Sequence, residues 1–339
     1  MQPLCEAGAC VACPETVCPA ASAACDCTAC VKHEDCSEGA ACDADTGQCL
    51  VDVLYVDDHG ACPGDGTEAS PYCLPQDAID AVGPGGSATI RIRPGVGIGY
   101  QQDIALLPGQ TLAMIGEGDY VPNLNAQPGG AESVLTVAEA DATLWLTGLR
   151  FRAGDEGPAV TVAGGTVHAS AIQVADSAAG ALRVTDGGNV DLENSFLAHW
   201  WSQETAIAVD GASFAARNIS LVWANTPTGV ITCTRSATVE LHDSIVASAA
   251  AVDDFLCDGA VLELDHVVTK ADVGPPPYTF PWFENQYGAD LHLRPAGAAV
   301  FADYAQWNTG DPTTDIDGDP RPLIDGTPDF PGADVPVLR

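Results

Sequence analysis

Four side chains near the middle of the sequence have the types and spacing to do chemistry. Asp191 and Glu193 stand two residues apart in "NVDLENSFL", and Arg217 and His242 fall at matching places in "SFAARNISL" and "TVELHDSIV". Residues two apart on a strand share one face. Two carboxylates beside a guanidinium can hold Ca2+ and position a general base, so Asp191, Glu193, Arg217 and His242 are the candidate catalytic residues. The competing reading is a solvated ladder of ion pairs, each worth little. A second group is "HWW", His199 to Trp201, with Trp223 farther along. Loop indoles offer apolar faces to sugar rings and an N–H to hydroxyls, which makes His199, Trp200, Trp201 and Trp223 the candidate ligand-binding residues. The competing reading packs them over a flank as satellite core.

Other familiar chemistry is absent from the sequence. Asp315, Asp317 and Asp319 in "DIDGDP" have calcium-loop spacing, but Pro320 replaces the needed glycine and Gly326 stands where a glutamate should be. A structural turn is expected there, with Arg321 paired to an aspartate. No Gly-x-Ser-x-Gly, P-loop or His-Glu-x-x-His occurs.

The candidate residues must be positioned by a repeat. "SVLTV", "PAVTV", "GALRV", "AIAV", "GVITC" and "DFLC" end at Val137, Val162, Val184, Val209, Cys233 and Cys257, in steps of 25, 22, 25, 24 and 24 residues. After each comes a second strand. Its inward columns read Leu144, Val167, Val190, Phe214, Val239, Leu262 and Leu146, Ala169, Leu192, Ala216, Leu241, Leu264. Its outward columns read Trp145, His168, Asp191, Ala215, Glu240, Glu263 and Thr147, Ser170, Glu193, Arg217, His242, Asp265. Three short strands per repeat predict a parallel β-helix, with coils stacked about 4.8 Å apart. Cys233 and Cys257 are then the same position on adjacent coils and are expected to be bonded. Asn194, Asn218, Asp243 and His266 form a polar corner column in which stacked amides should hydrogen-bond.

The ends have a different character. Residues 1–50 carry ten of the fourteen cysteines and few large apolar side chains, so a separate disulfide-held module is expected. Cys10, Cys13, Cys27 and Cys30 also come close to a zinc-ribbon spacing. The body, 51–339, divides into an N-terminal strand, loop and capping helix at 51–88, coils at 89–300, and a C-terminal cap at 301–339. Cys62 and Cys73 bracket a Gly/Pro-rich loop that they should close, and "PQDAIDAV", Pro75–Val82, reads as a short helix.

"YVDD", the glycine-rich loop, "PQDAIDAVGPGGSATIRIRPG" and the later "ADLHLRPAGAAV" and "DIDGDPRPLIDGTPDFPGADV" resemble the first and last motifs of the right-handed parallel β-helix (pectin-lyase-like) family of secreted bacterial proteins. The resemblance covers residues 51–339 and implies an all-β solenoid. The family includes polysaccharide lyases and hydrolases as well as adhesins, and its lyases work with carboxylates and an arginine on this face. The Cys62–Cys73 pair and the altered final motif depart from the family pattern, and no catalytic signature of the family is matched.

Composition narrows the partners. The net charge is −35, from 12 Lys+Arg against 47 Asp+Glu. Such a surface repels nucleic acid, anionic membranes and bare polyuronates. No run of 18 apolar residues occurs, so membrane insertion is not expected. The cysteine count points to an oxidising compartment, extracellular or cell-surface. "MQPLCEAGAC" has neither a basic nor an apolar leader region, which reads as a mature or truncated form. The expected function is therefore a secreted or cell-surface β-helix that binds an extracellular polysaccharide or cell-surface glycan, or is structural. The alternative is a polysaccharide lyase or glycoside hydrolase on the outward face. Beyond Ca2+ at the carboxylates, no cofactor is expected.

Overall fold

The computed structural model describes residues 30–336 apart from 31, 37–38, 60–61, 119, 130–132, 154–156, 200–203, 224–228, 249–252 and 274–281, together with the short strands Cys5–Glu6 and Ala9–Cys10. Three parallel sheets run along the molecule, one of nine strands and two of seven. Each coil contributes one strand to each sheet. The chain is a parallel β-helix of seven full turns.

The repeat register is the one the sequence predicts. Leu144 pairs with Val167, Val167 with Val190, Val190 with Phe214, Phe214 with Val239 and Val239 with Leu262 along the nine-stranded sheet. These side chains alternate inward with period 2, and most are fully buried in one continuous apolar column. Val209 pairs with Cys233 and Cys233 with Cys257, and the two cysteines are bonded with Cα atoms 4.4 Å apart. The Cys62–Cys73 disulfide closes its loop with Cα atoms 5.8 Å apart.

The corner column has a backbone cause. Asn194, Asn218, Asp243 and His266 all adopt left-handed conformations, with φ of 43°, 50°, 45° and 50°. Asn and Asp tolerate that region best among residues with a side chain. The expected amide ladder does not form. Asn194 Nδ2 donates instead to the Thr314 carbonyl at 2.7 Å, and neither polar atom of the Asn218 side chain has a hydrogen-bond partner among the described residues.

Both ends differ from expectation. The coils end at Val268, which bridges to Ile245, and not at 300. Beyond it lie the helix Lys270–Val273, an antiparallel pair Phe283–Asn285 and Asp290–Leu293, and the helix Pro295–Phe301. The reason is visible in the burial. Trp282, Phe283, Leu291, Leu293 and Phe301 cover the outward residues Phe196, Ala198, Val222, Ile245 and Ala247 of the last seven-stranded sheet. The last strands of that sheet are apolar on both faces, so the C-terminal segment folds back along them instead of adding coils.

At the other end, helix Pro75–Val82 buries Ala78 and Ile79 over the first coil. Gln110 Nε2 donates to the Ile79 and Gly83 carbonyls, at 2.9 and 3.0 Å, satisfying the helix end. The described part of the cysteine-rich segment holds the disulfides Cys30–Cys42 and Cys36–Cys49. Cys30 is thus unavailable to a zinc ribbon. This segment also packs on the coils. Ala41 and Leu50 pack with Ala113, and the Ala41 amide donates to Thr89 Oγ1 at 2.8 Å. No helix among the described residues is long and apolar enough to cross a membrane.

Candidate functional site

The outward face of the nine-stranded sheet is not flat. The cysteine-rich segment stands along one side of it, at Lys32, His33, Cys42 and Ala44, and the C-terminal loop Thr314–Gly318 stands along the other. Between them lies a cleft of about 720 Å3, floored by Trp145, His168, Ser170, Asp191, Glu193 and Arg217. Strand pairing sets the floor. Trp145, His168 and Asp191 are successive partners in one column, and Ser170, Glu193 and Arg217 in the next.

His168 is the hub. Its ring stacks on Trp145 with centroids 4.0 Å apart and planes 15° from parallel. Its Nδ1 lies 3.1 Å from Asp191 Oδ2 and its Nε2 lies 3.2 Å from Asp45 Oδ2. Burial alone would lower its pKa, but the hydrogen bond to Asp191 and the charges of Asp45 and Asp191 outweigh burial and raise it.

Glu193 sits deeper. Burial pushes its carboxyl above the ordinary carboxylate range; Arg217 opposes the shift, while Asp191 and Asp311 add to it. Arg217 is held by the C-terminal segment, donating from Nη1 to the Gly310 carbonyl at 2.8 Å. The floor therefore offers a carboxyl whose pKa is raised by burial, a carboxylate paired with an imidazole, and a guanidinium, all facing one cavity. Such a set can bind sugar hydroxyls and can move a proton.

Of the expected catalytic set, Asp191, Glu193 and Arg217 are brought together and His242 is not. His242 pairs in register with Arg217 but leans on Asp265, with Nδ1 3.6 Å from Asp265 Oδ2, and does not line the cleft. The aromatic group needs a larger correction. Trp223 is 0% exposed, packed in the main core, and its indole N–H donates to the Glu204 carbonyl at 3.1 Å. Leu221 and Trp223 are two apart on one strand, so both point inward. His199 is its register partner, with ring centroids 5.4 Å apart. Trp200 and Trp201 lie outside the described residues.

Trp145, His168 and Asp45 were not singled out from the sequence. Trp145 and His168 share the outward column of Asp191, which is a usable signal. Nothing in the sequence places Asp45 or the loop Thr314–Gly318 beside that column.

Three groups of His, Cys and Asp side chains among the described residues bring ligand atoms within 4.8 Å of one another: Cys30, Cys36 and Cys49; Asp57, Asp58 and His59; and His292, Asp317 and Asp334. The first is consumed by disulfides. Asp191 and Glu193 belong to none of these groups.

The chain is similar to solved structures at low identity. They include the pectin methylesterase from Aspergillus niger in deglycosylated form, at 17% identity and TM-score 0.35, covering 67% of this chain and 89% of that one. The pectin methylesterase from carrot matches at 12% identity and TM-score 0.34, covering 64% and 82%. Escherichia coli ybhc matches at 12% identity and TM-score 0.35, covering 62% and 72%. No protein-family model and no curated protein matches the chain. The strand register above carries the fold assignment by itself, and no activity passes from these proteins to this chain.

Proposed function

We propose that the protein is an extracellular or cell-surface β-helix that binds a glycan in the cleft over Trp145, His168, Asp191, Glu193 and Arg217. The observation that carries the reading is convergence: apolar ring surface, a guanidinium and two carboxyl groups face one cavity of about 720 Å3, a size suited to a few sugar rings. With a net charge of −35, the favoured ligand is an uncharged or basic saccharide. Disulfides on the coils and in the flanking segment fit an oxidising compartment. A glycan array on the folded protein, with and without Ca2+, tests the reading. Binding of a saccharide class that weakens in Glu193→Gln supports it, and silence across the array leaves a mechanical spacer as the better account.

A second reading is favoured by Glu193 itself. A carboxyl whose pKa is raised by burial can donate a proton to a leaving oxygen, while Asp191, two residues away on the same face, acts as base or nucleophile. That is glycoside cleavage in the cleft. New reducing ends from an array hit, absent with Glu193→Gln, would support it; an unsaturated product would point to lyase chemistry.

A further inference from the structure

One cluster of titratable side chains lies away from the cleft floor and meets the cleft only at its C-terminal wall. Asp290 and His292 lie two apart on the strand Asp290–Leu293 and share a face. The Phe196 and His292 rings are perpendicular, with centroids 4.9 Å apart. Asp290 Oδ1 hydrogen-bonds to His292 Nδ1. That contact fixes the ring orientation, so Nε2 points away from Asp290.

Two further carboxylates stand on the Nε2 side. Asp317 Oδ2 lies 2.8 Å from Nε2. Asp334 is 5% exposed, and its Oδ2 accepts the Leu293 amide at 2.6 Å. The ligand atoms of His292, Asp317 and Asp334 all lie within 4.8 Å of one another. Yet Nε2 is buried and makes no hydrogen bond of acceptable geometry among the described residues, despite its distance to Asp317. The Nε2 atom thus faces two carboxylates, with a third carboxylate on the far side of the ring.

We propose that His292, Asp317 and Asp334 bind one divalent transition-metal ion, with Asp290 as the carboxylate that orients the imidazole. One nitrogen and two carboxylate oxygens form a donor set suited to zinc, whereas Ca2+ and Mg2+ prefer oxygen alone. The ion would tie the C-terminal hairpin to the loop Thr314–Gly318, because Asp317 belongs to both the cluster and the cleft wall. The site stands whether or not the cleft binds a glycan.

The test is zinc stoichiometry on the full chain. Purified protein is loaded with zinc, freed of excess and assayed by elemental analysis, for wild type and for His292→Gln, Asp317→Asn and Asp290→Asn. The expected result is one zinc more per chain in wild type than in His292→Gln. Asp317 is 56% exposed at its side chain, so Asp317→Asn should fold even if His292→Gln does not, and it should also lose that zinc. Asp290→Asn should keep the ligands but weaken affinity about 10- to 100-fold by calorimetric titration. Equal zinc in wild type and all variants would place the metal on cysteines and overturn the proposal. No zinc retained by wild type would also overturn it, leaving a protonated His292 paired with Asp317.

Discussion

His168 Nδ1 lies 3.1 Å from Asp191 Oδ2, and the two residues occupy the same position on consecutive coils. The other ring nitrogen reaches Asp45, 123 residues away in sequence, so one imidazole joins the floor of the cleft to its N-terminal wall. Its pKa is raised on folding from 6.5. The ion pairs therefore stabilise the fold fully below pH 6.5, and their contribution fades as pH rises through the higher folded value. His168→Asn should cost stability near about pH 6, and the deficit should shrink at alkaline pH. Urea unfolding of both proteins across pH measures this; a deficit that grows with pH would mean that the pairing is not what holds His168.

The Cys233–Cys257 bond ties two adjacent coils within the core, at a sequence separation of 24. Replacing both cysteines with alanine should lower stability by about 2–4 kcal/mol without changing the fold. Denaturant unfolding gives the loss, and a non-reducing peptide digest should yield the two segments still joined.

Asp243 is 3% exposed in the corner column, and burial, reinforced by Asp311, raises its pKa from 3.8 to about 6. The folded chain holds this proton more tightly than the unfolded chain. Ionising it destabilises the fold, so stability drops as pH rises between 3.8 and about 6 and stays lower above. Asp243→Asn keeps an oxygen acceptor, tolerates the left-handed backbone and removes the charge. The stability of the variant relative to wild type should increase by about 1–3 kcal/mol between pH 4 and pH 7. A pH-independent difference would show that Asp243 titrates normally.

Trp223 is core and not ligand surface. Trp223→Ala should lower stability by about 3–5 kcal/mol. Whatever fraction remains folded should bind glycan as wild type does. Weakened binding at unchanged thermal stability would restore Trp223 to the ligand surface.

The coil register was legible because one physical rule, apolar residues at every second position repeated every 22 to 25 residues, fixes which strands touch and which side chains face out. That rule placed Asp191, Glu193 and Arg217 on one surface and Cys233 on Cys257. It also contained the answer for Trp223, since Leu221 shares its face. What remained hidden depends on chain segments outside the repeat. "FLAHW" and "SLVWA" carry apolar residues on both faces, a sign that something covers the outer one, but no local pattern says that Phe283 and Phe301 do so. Asp45 reaches His168 only because Ala41 and Leu50 dock on Ala113, a tertiary contact with no sequence period. The walls that turn a ladder into a cleft belong to this class.

A saccharide lying on this floor should depend on the side chains that line it. The direct measurement is calorimetric titration of the best array ligand into wild type, Trp145→Ala, Glu193→Gln and, as a control away from the cleft, Arg235→Ala. Arg235 pairs with Asp210 on the surface. The account predicts that Trp145→Ala and Glu193→Gln each weaken binding by about 1–3 kcal/mol, roughly 5- to 150-fold in Kd, while Arg235→Ala leaves it unchanged. Equal affinity in all four proteins would contradict it and move the binding surface elsewhere.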